Sequence, residues 1–141
     1  MSSRRKSREC ALQMLFQWDL GRQSPEIVQE LFWSNTRPGQ EEALRSFANQ
    51  LLEGVVKNRE EIDSLIRAYT ERWRLERMPV VDRNILRLGI YELLYQPETP
   101  PAVVINEALE IARKYSGEEA VQFLNGILDR VRKERTSARP A

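Results

Sequence analysis

VVDRNILRLGIYELLY, residues 80–95, is the stretch whose reading decides the fold. Wound at about 100° per residue, its apolar side chains cover most of a helix circumference. Ile85, Leu88 and Tyr95 lie on one side, and Leu86, Ile90 and Leu93 continue round the next. Arg83, Asn84 and Arg87 leave only a narrow polar strip. A helix this apolar belongs in the middle of a bundle, covered on several sides. It is too short and too charged to cross a membrane, which takes ~20 largely apolar residues. Pro79 suits its start, where a missing N–H costs nothing.

The segments on either side are helical too. Upstream, residues 41–72 read as one long helix near the middle of the chain. Leu44, Phe47, Ala48, Leu51, Leu52 and Val55 keep the helical period, and Ile62, Leu65, Ile66 and Tyr69 keep it again after a polar interval at 57–61. Such a helix would span roughly 48 Å, and the phase change near Gly54 suggests that it feeds two cores in turn. Trp73, Leu75 and Met78 cover the turn into residues 80–95. Downstream, Pro100 and Pro101 open a helix whose buried face is Val104, Ile105, Ala108, Ile111, Ala112 and Tyr115, and Ser116-Gly117 ends it. Residues 118–135 form the last helix, with a core stripe of Ala120, Leu124, Ile127, Leu128 and Val131. Phe123 sits at the margin of that stripe, and Glu118 and Glu119 suit the positive end of the helix. Residues 136–141 read as a flexible tail.

Towards the N-terminus, residues 4–20 read as a helix buried through Ala11, Met14, Leu15 and Trp18, with Gly21 as its stop. Ser24 caps a second helix with Pro25 in its first turn, and Ile27, Val28, Leu31 and Phe32 are its apolar face. Residues 35–40, with Pro38 and Gly39, form a loop. No segment alternates as a strand does, so the fold class is all-α.

The chain has 141 residues, enough for one domain or two small sub-bundles sharing a helix. Cys10 is the only cysteine, which excludes an intramolecular disulfide, and is read as a small buried residue. Without histidine there is no Cys/His zinc site and no histidine base. No apolar signal core follows the basic N-terminus, and the chain reads as cytoplasmic. The net charge of +1 is unevenly spread. Residues 1–8 carry +4 and residues 126–141 carry +3, which leaves −6 on the body. Basic ends on an acidic body point to polyanion contacts, or to nothing more than solvated tails.

No phosphate loop, dinucleotide turn or activated nucleophile occurs. Glu107 with Glu110, or Glu118 with Glu119, could pair on a metal, but no carboxylate-x-x-His accompanies them. The chain reads as a binding protein and not an enzyme, with neither metal nor cofactor. Its best site is the first helix, where Arg5, Leu12 and Phe16 share a flank with Arg8 at the edge. Cations for phosphates beside a ring for base stacking are what single-stranded RNA binders use. The alternative is that Phe16 is core.

Three segments together resemble the NusB family of bacterial transcription antitermination factors: RRKSRECALQMLFQW (4–18), WRLERMPVVDRNILRLGIYELLY (73–95) and PPAVVINEALEIARKYSGEEAVQFLNGILDRV (100–131). The resemblance implies two three-helix bundles within one NusB-like domain, with residues 1–72 as the N-terminal bundle and 73–135 as the C-terminal one. It implies binding of single-stranded boxA RNA together with NusE, a small-subunit ribosomal protein, within the RNA polymerase antitermination complex. That complex supports transcription of ribosomal RNA operons. The family's RNA-binding arm falls on Arg4, Arg5, Lys6 and Arg8, and its two aromatics fall on Phe16 and Phe123. The acidic position before the second aromatic is Glu119, and Gln122 stands where lysine is common. The resemblance would bring these residues onto one RNA surface. NusE would dock mainly on the C-terminal bundle, with Arg83, Arg87, Glu92 and Glu107 as candidate contacts. Some members self-associate, and a homodimer would cover the RNA surface. Asn106, Asn125 and Gly126 match the family's most recognisable letters. A structural role is expected for them, with Gly126 allowing close helix packing.

A competing reading is a protein-binding helical scaffold with incidental basic ends. Exposure or burial of Phe16 and Phe123 discriminates the two. A third, the NusB-like domain of an rRNA cytosine methyltransferase, requires this chain to be a piece of a longer one.

Overall fold

The helical periods of the sequence become seven α-helices and one 3-10 turn among the described residues, which are 3–34, 42–70 and 75–138 of this computed structural model. The helices are α1 (Ser3–Gly21), α2 (Pro25–Ser34), α3 (Glu42–Lys57), α4 (Arg59–Ala68), α5 (Val80–Tyr95), α6 (Pro101–Tyr115) and α7 (Glu118–Ala138), with the 3-10 turn at Leu75–Arg77. No strand occurs among the described residues. The expected loop at 35–40, Trp73 and residues 139–141 lie outside them. Helix α7 continues to Ala138, past its expected end at 135.

Packing divides the chain into two units, residues 1–57 and 58–141. In the first, α1 lies mainly on α3, and α2 contacts both. Ala11, Met14 and Leu15 of α1, Val28 of α2, and Ala48, Leu51, Leu52 and Val55 of α3 form a core closed to solvent. The Ser24 hydroxyl caps α2 by accepting the Ile27 N–H at 3.3 Å. Helix α2 buries a narrower face than its apolar residues suggested. Val28 and Trp33 are inside while Ile27 and Leu31 are exposed. The Trp33 indole N–H donates to Asn49 Oδ1 at 2.7 Å, which satisfies its polar edge and aligns α2 on α3. The chain leaves α1 through Arg22, not Gly21. Arg22 takes the left-handed conformation (φ 58°) and donates its N–H to the Trp18 carbonyl at 2.9 Å.

In the second unit α5 is packed against α4, α6 and α7. Every residue from 84 to 93 is buried, including the polar strip at Asn84 and Arg87. The Asn84 side chain donates to the Val80 carbonyl at 2.9 Å, and the Ser116 hydroxyl donates to Asp82 Oδ1 at 2.6 Å. A β-carbon at Gly89 would stand 2.9 Å from Leu128 Cδ2, so Gly89 sets the approach of α7 to α5. Gly126 was expected in that role, yet it is exposed with open space around it, and Asn106 and Asn125 are exposed as well.

The long helix expected over 41–72 is two helices. At Asn58 (φ −105°, ψ 21°) the backbone leaves helical geometry, and the Asn58 carbonyl accepts the Ile62 N–H at 3.0 Å to start α4. The two halves of the periodic pattern therefore serve different units. The division falls after Lys57 and not after residue 72, because α4 packs on α5. The second unit accordingly holds four α-helices among the described residues, where the family resemblance implied three.

The two glycines should respond oppositely to alanine. Gly89→Ala should lower unfolding stability by ~1–3 kcal/mol through overpacking against Leu128. Gly126→Ala should raise it by about 1 kcal/mol, since the added methyl meets nothing and helix propensity improves. Urea unfolding of the two variants checks both signs.

Tyr95 supplies a pH prediction. Its hydroxyl bonds Glu61 of α4, and removal from solvent, followed by that hydrogen bond and the nearby Glu61 charge, pushes its pKa up to about 12. A raised tyrosine pKa favours the folded state while the ring is neutral. Stability should fall as pH rises from the unfolded value near 10 towards 12. Tyrosinate absorbance should show a last ionisation step that Tyr95→Phe removes.

Candidate nucleic-acid interface

The basic residues of α1 are on a helix and not on a tail, because α1 already begins at Ser3. That placement is electrostatically unfavourable. The first turn has no acidic residue, and cations there oppose the partial positive charge of a helix N-terminus. Tertiary contacts from α3 offset this. The Ser7 hydroxyl, buried, donates to the Leu44 carbonyl at 2.9 Å. The Arg4 guanidinium lies 4.1 Å from the centroid of the Phe47 ring, and that of Arg8 lies 5.7 Å from it.

Helical geometry then sorts the cations. Arg4 and Arg8, one turn apart, look towards α3. Arg5 and Lys6 fall in a sector of about 120° that also contains Gln13, Phe16, Gln17 and Leu20, with the half-buried Glu9 between them. Lys6, Gln13, Phe16, Gln17 and Leu20 are exposed and Arg5 is half-buried. Phe16 is 40% exposed, which settles it as a surface ring and not as core. Leu12, expected on the same flank, is buried. Arg8 is only 5% exposed and is a packing residue on Phe47, so it does not belong to the exposed cations. Cys10 is buried, and desolvation raises its thiol pKa, which suits an unreactive core residue.

In the second unit, the start of α7 presents Glu119 and Gln122 to solvent with Phe123 half-buried. Glu118 is held by Arg113 of α6 at 3.0 Å, and Arg113 also bonds Glu110 at 2.8 Å. Further along α7 the basic residues are engaged within the unit. Arg130 lies 4.4 Å from the Tyr69 ring centroid. Arg132 and Lys133 bond Asp129 at 2.7 and 3.1 Å, which lowers the Asp129 pKa. Arg132 and Lys133 thus share one carboxylate of their own helix.

The expected partner contacts separate in the same way. Arg87 is 5% exposed and grips Asp63 of α4 with two hydrogen bonds, 2.9 and 3.0 Å, while donating to Asn84 Oδ1 at 2.9 Å. Glu92 is 2% exposed. Both are interior residues of the second unit, so their expected place on a docking surface is corrected. Arg83 and Glu107 are half-buried and reach the surface. Arg83 leans on the carbonyls of Leu75 and Glu76 at 3.5 and 3.4 Å. Sequence reading missed Phe47 as the partner of Arg4 and Arg8, Asp63 as the partner of Arg87, and the bond from Ser7 to Leu44. Each acts across helices, and periodicity within one helix carries no such signal.

Among the described residues no helix is long and apolar enough to cross a membrane, and no three metal-binding side chains cluster.

Arg87→Met should cost ~3–5 kcal/mol of unfolding stability, because it leaves the Asp63 carboxylate buried and alone. The simultaneous change with Asp63→Leu should recover much of the loss. Chemical denaturation of the single and double variants measures both.

A model of the NusB family matches residues 5–133 of this chain. The chain is 55% identical to transcription antitermination protein NusB of Koribacter versatilis (strain Ellin345), over 94% of this chain and 90% of that protein. It is 44% identical to the protein of the same name from Thermodesulfovibrio yellowstonii, over 93% and 92%. Among solved structures it resembles T. maritima NusB, with a TM-score of 0.84, 38% identity, and 93% of this chain and 91% of that one covered. It also resembles a chain in the crystal structure of antitermination factors NusB and NusE in complex with dsRNA, with a TM-score of 0.84, 29% identity and coverage of 95% and 98%.

Proposed function

This chain belongs to the NusB family of transcription antitermination proteins, and we propose that it binds the boxA element of nascent RNA jointly with NusE. In that role it is a regulator and not an enzyme, and it keeps RNA polymerase transcribing through ribosomal RNA operons. The observation that carries the RNA reading is the exposed Phe16 ring on the same face of α1 as Arg5 and Lys6. A base stacking on the ring while the cations meet the flanking phosphates is the recognition mode of unpaired RNA. Glu119, Gln122 and Phe123 at the start of α7 offer a second contact, where the carboxylate and amide can accept from base edges. Arg83 and Glu107 are the NusE contacts that burial leaves on the surface of the second unit.

The test is fluorescence anisotropy with a boxA-like single-stranded RNA, a scrambled strand and a duplex of the same sequence, across a salt series, with and without NusE. The expected result is selective binding of the boxA-like strand that tightens with NusE. Binding of NusE with no preference among RNAs would instead favour the scaffold reading. Phe16→Ala should weaken the boxA complex by roughly 1–3 kcal/mol. Its unfolding curve should stay close to that of the unaltered chain, since the ring adds little to the core.

A further inference from the structure

We propose that Phe47 of α3 anchors the basic arm, that Arg4 and Arg8 are positioning residues, and that Arg5 and Lys6 are the cations that meet RNA phosphate. This division rests on the RNA-binding reading above and deepens it. Four basic side chains within five positions look equivalent in sequence, but they do not occupy equivalent places. Arg4 and Arg8 are one helical turn apart, so a single ring on α3 can receive both guanidinium groups, at 4.1 and 5.7 Å from its centroid. Phe47 and Arg8 are both buried, so their contact is desolvated, while Arg4 is exposed and covers the ring from the solvent side at the shorter distance. The buried Ser7 hydroxyl on the Leu44 carbonyl pins the same turn to the same stretch of α3, one helical turn before Phe47.

These contacts answer a specific physical need. A helix whose first turn holds cations and no acid frays, because the charges oppose the macrodipole and their mutual repulsion is relieved by unwinding. Fraying would scatter Arg5 and Lys6 away from the face that carries Phe16. With Arg4 and Arg8 drawn onto Phe47, the first turns stay helical and Arg5 and Lys6 keep their register with the stacking ring eleven and ten residues on. The anchor thus spends two cations to hold two others in place before RNA arrives, which lowers the ordering cost of binding.

The experiment compares Phe47→Leu, Phe47→Trp, Arg4→Gln, Arg5→Gln and Lys6→Gln by two readouts. The first is the affinity of the full chain for a boxA-like strand across a salt series. The second is hydrogen exchange of the amides of residues 7–10, which close the first turns of α1. Phe47→Leu and Arg4→Gln are expected to speed that exchange and to weaken binding about fivefold while leaving the salt slope unchanged. Phe47→Trp should restore both quantities. Arg5→Gln and Lys6→Gln should each reduce the log–log salt slope by ~0.7, and Lys6→Gln should leave the exchange as it was. A slope reduced by Arg4→Gln as much as by Lys6→Gln would make Arg4 a phosphate ligand and overturn the division. So would arm amides that exchange in Arg4→Gln at the unaltered rate, a result that holds even if Phe47→Leu fails to fold. The exchange readout needs no RNA. A chain that binds no RNA would overturn the functional reading alone, and exchange would still decide the anchor.

Discussion

The second unit depends on a carboxylate meeting a guanidinium out of water. Helix α5 is enclosed so completely that Arg87 cannot reach solvent, and an unpaired charge there would cost several kcal/mol. Asp63 removes that cost with a two-point contact, and in doing so it ties α4 to α5. The remaining polar groups of α5 follow the same rule. Asn84 turns back to its own helix and Asp82 takes the Ser116 hydroxyl at the end of α6. Gly117, at φ 146°, then lets the chain turn sharply from α6 into α7. Asp82 and Arg87 therefore each fix a neighbouring element, and the apolar contacts fill the space between. The pair adds little net stability compared with an apolar replacement, but it specifies which helix lies where.

The first unit carries the opposite problem, which is exposure. Apolar burial favours hiding Phe16, Ile27 and Leu31, and the fold leaves all three in water. Helix α2 is short, and Trp33 occupies its contact edge, so Ile27 and Leu31 have no core to enter. Phe16 lies on the side of α1 away from α3. Scattered exposed apolar residues are ordinary on protein surfaces. What distinguishes Phe16 is company, because Arg5 and Lys6 share its sector of the helix. The same cations burden the helix N-terminus, and α3 compensates through Phe47 and the Leu44 carbonyl. Local instability at the N-terminus of α1 is thus offset by packing against α3.

The sequence by itself determined the helices and most of the core. Over residues 80–95 the apolar period predicts a helix with the bounds that α5 has, and the stripes of α1, α6 and α7 are buried nearly as read. Periodicity works here because a repeating pattern within one helix depends only on 3.6-residue geometry. That Phe16 shares a helix flank with Arg5 was legible for the same local reason. Only the tertiary structure decided which polar residues face inward. Arg87 and Glu92 look like surface charges in the sequence, and Arg8 looks like a fourth arm cation, yet all three are buried. Asp63 and Phe47, the partners of Arg87 and Arg8, lie 24 and 39 residues away. The break at Asn58 was hidden as well, because the apolar period resumes after it and the carboxylate that commits α4 to α5 finds its guanidinium only in three dimensions. A periodic pattern records that a face is buried; it holds no record of what buries it.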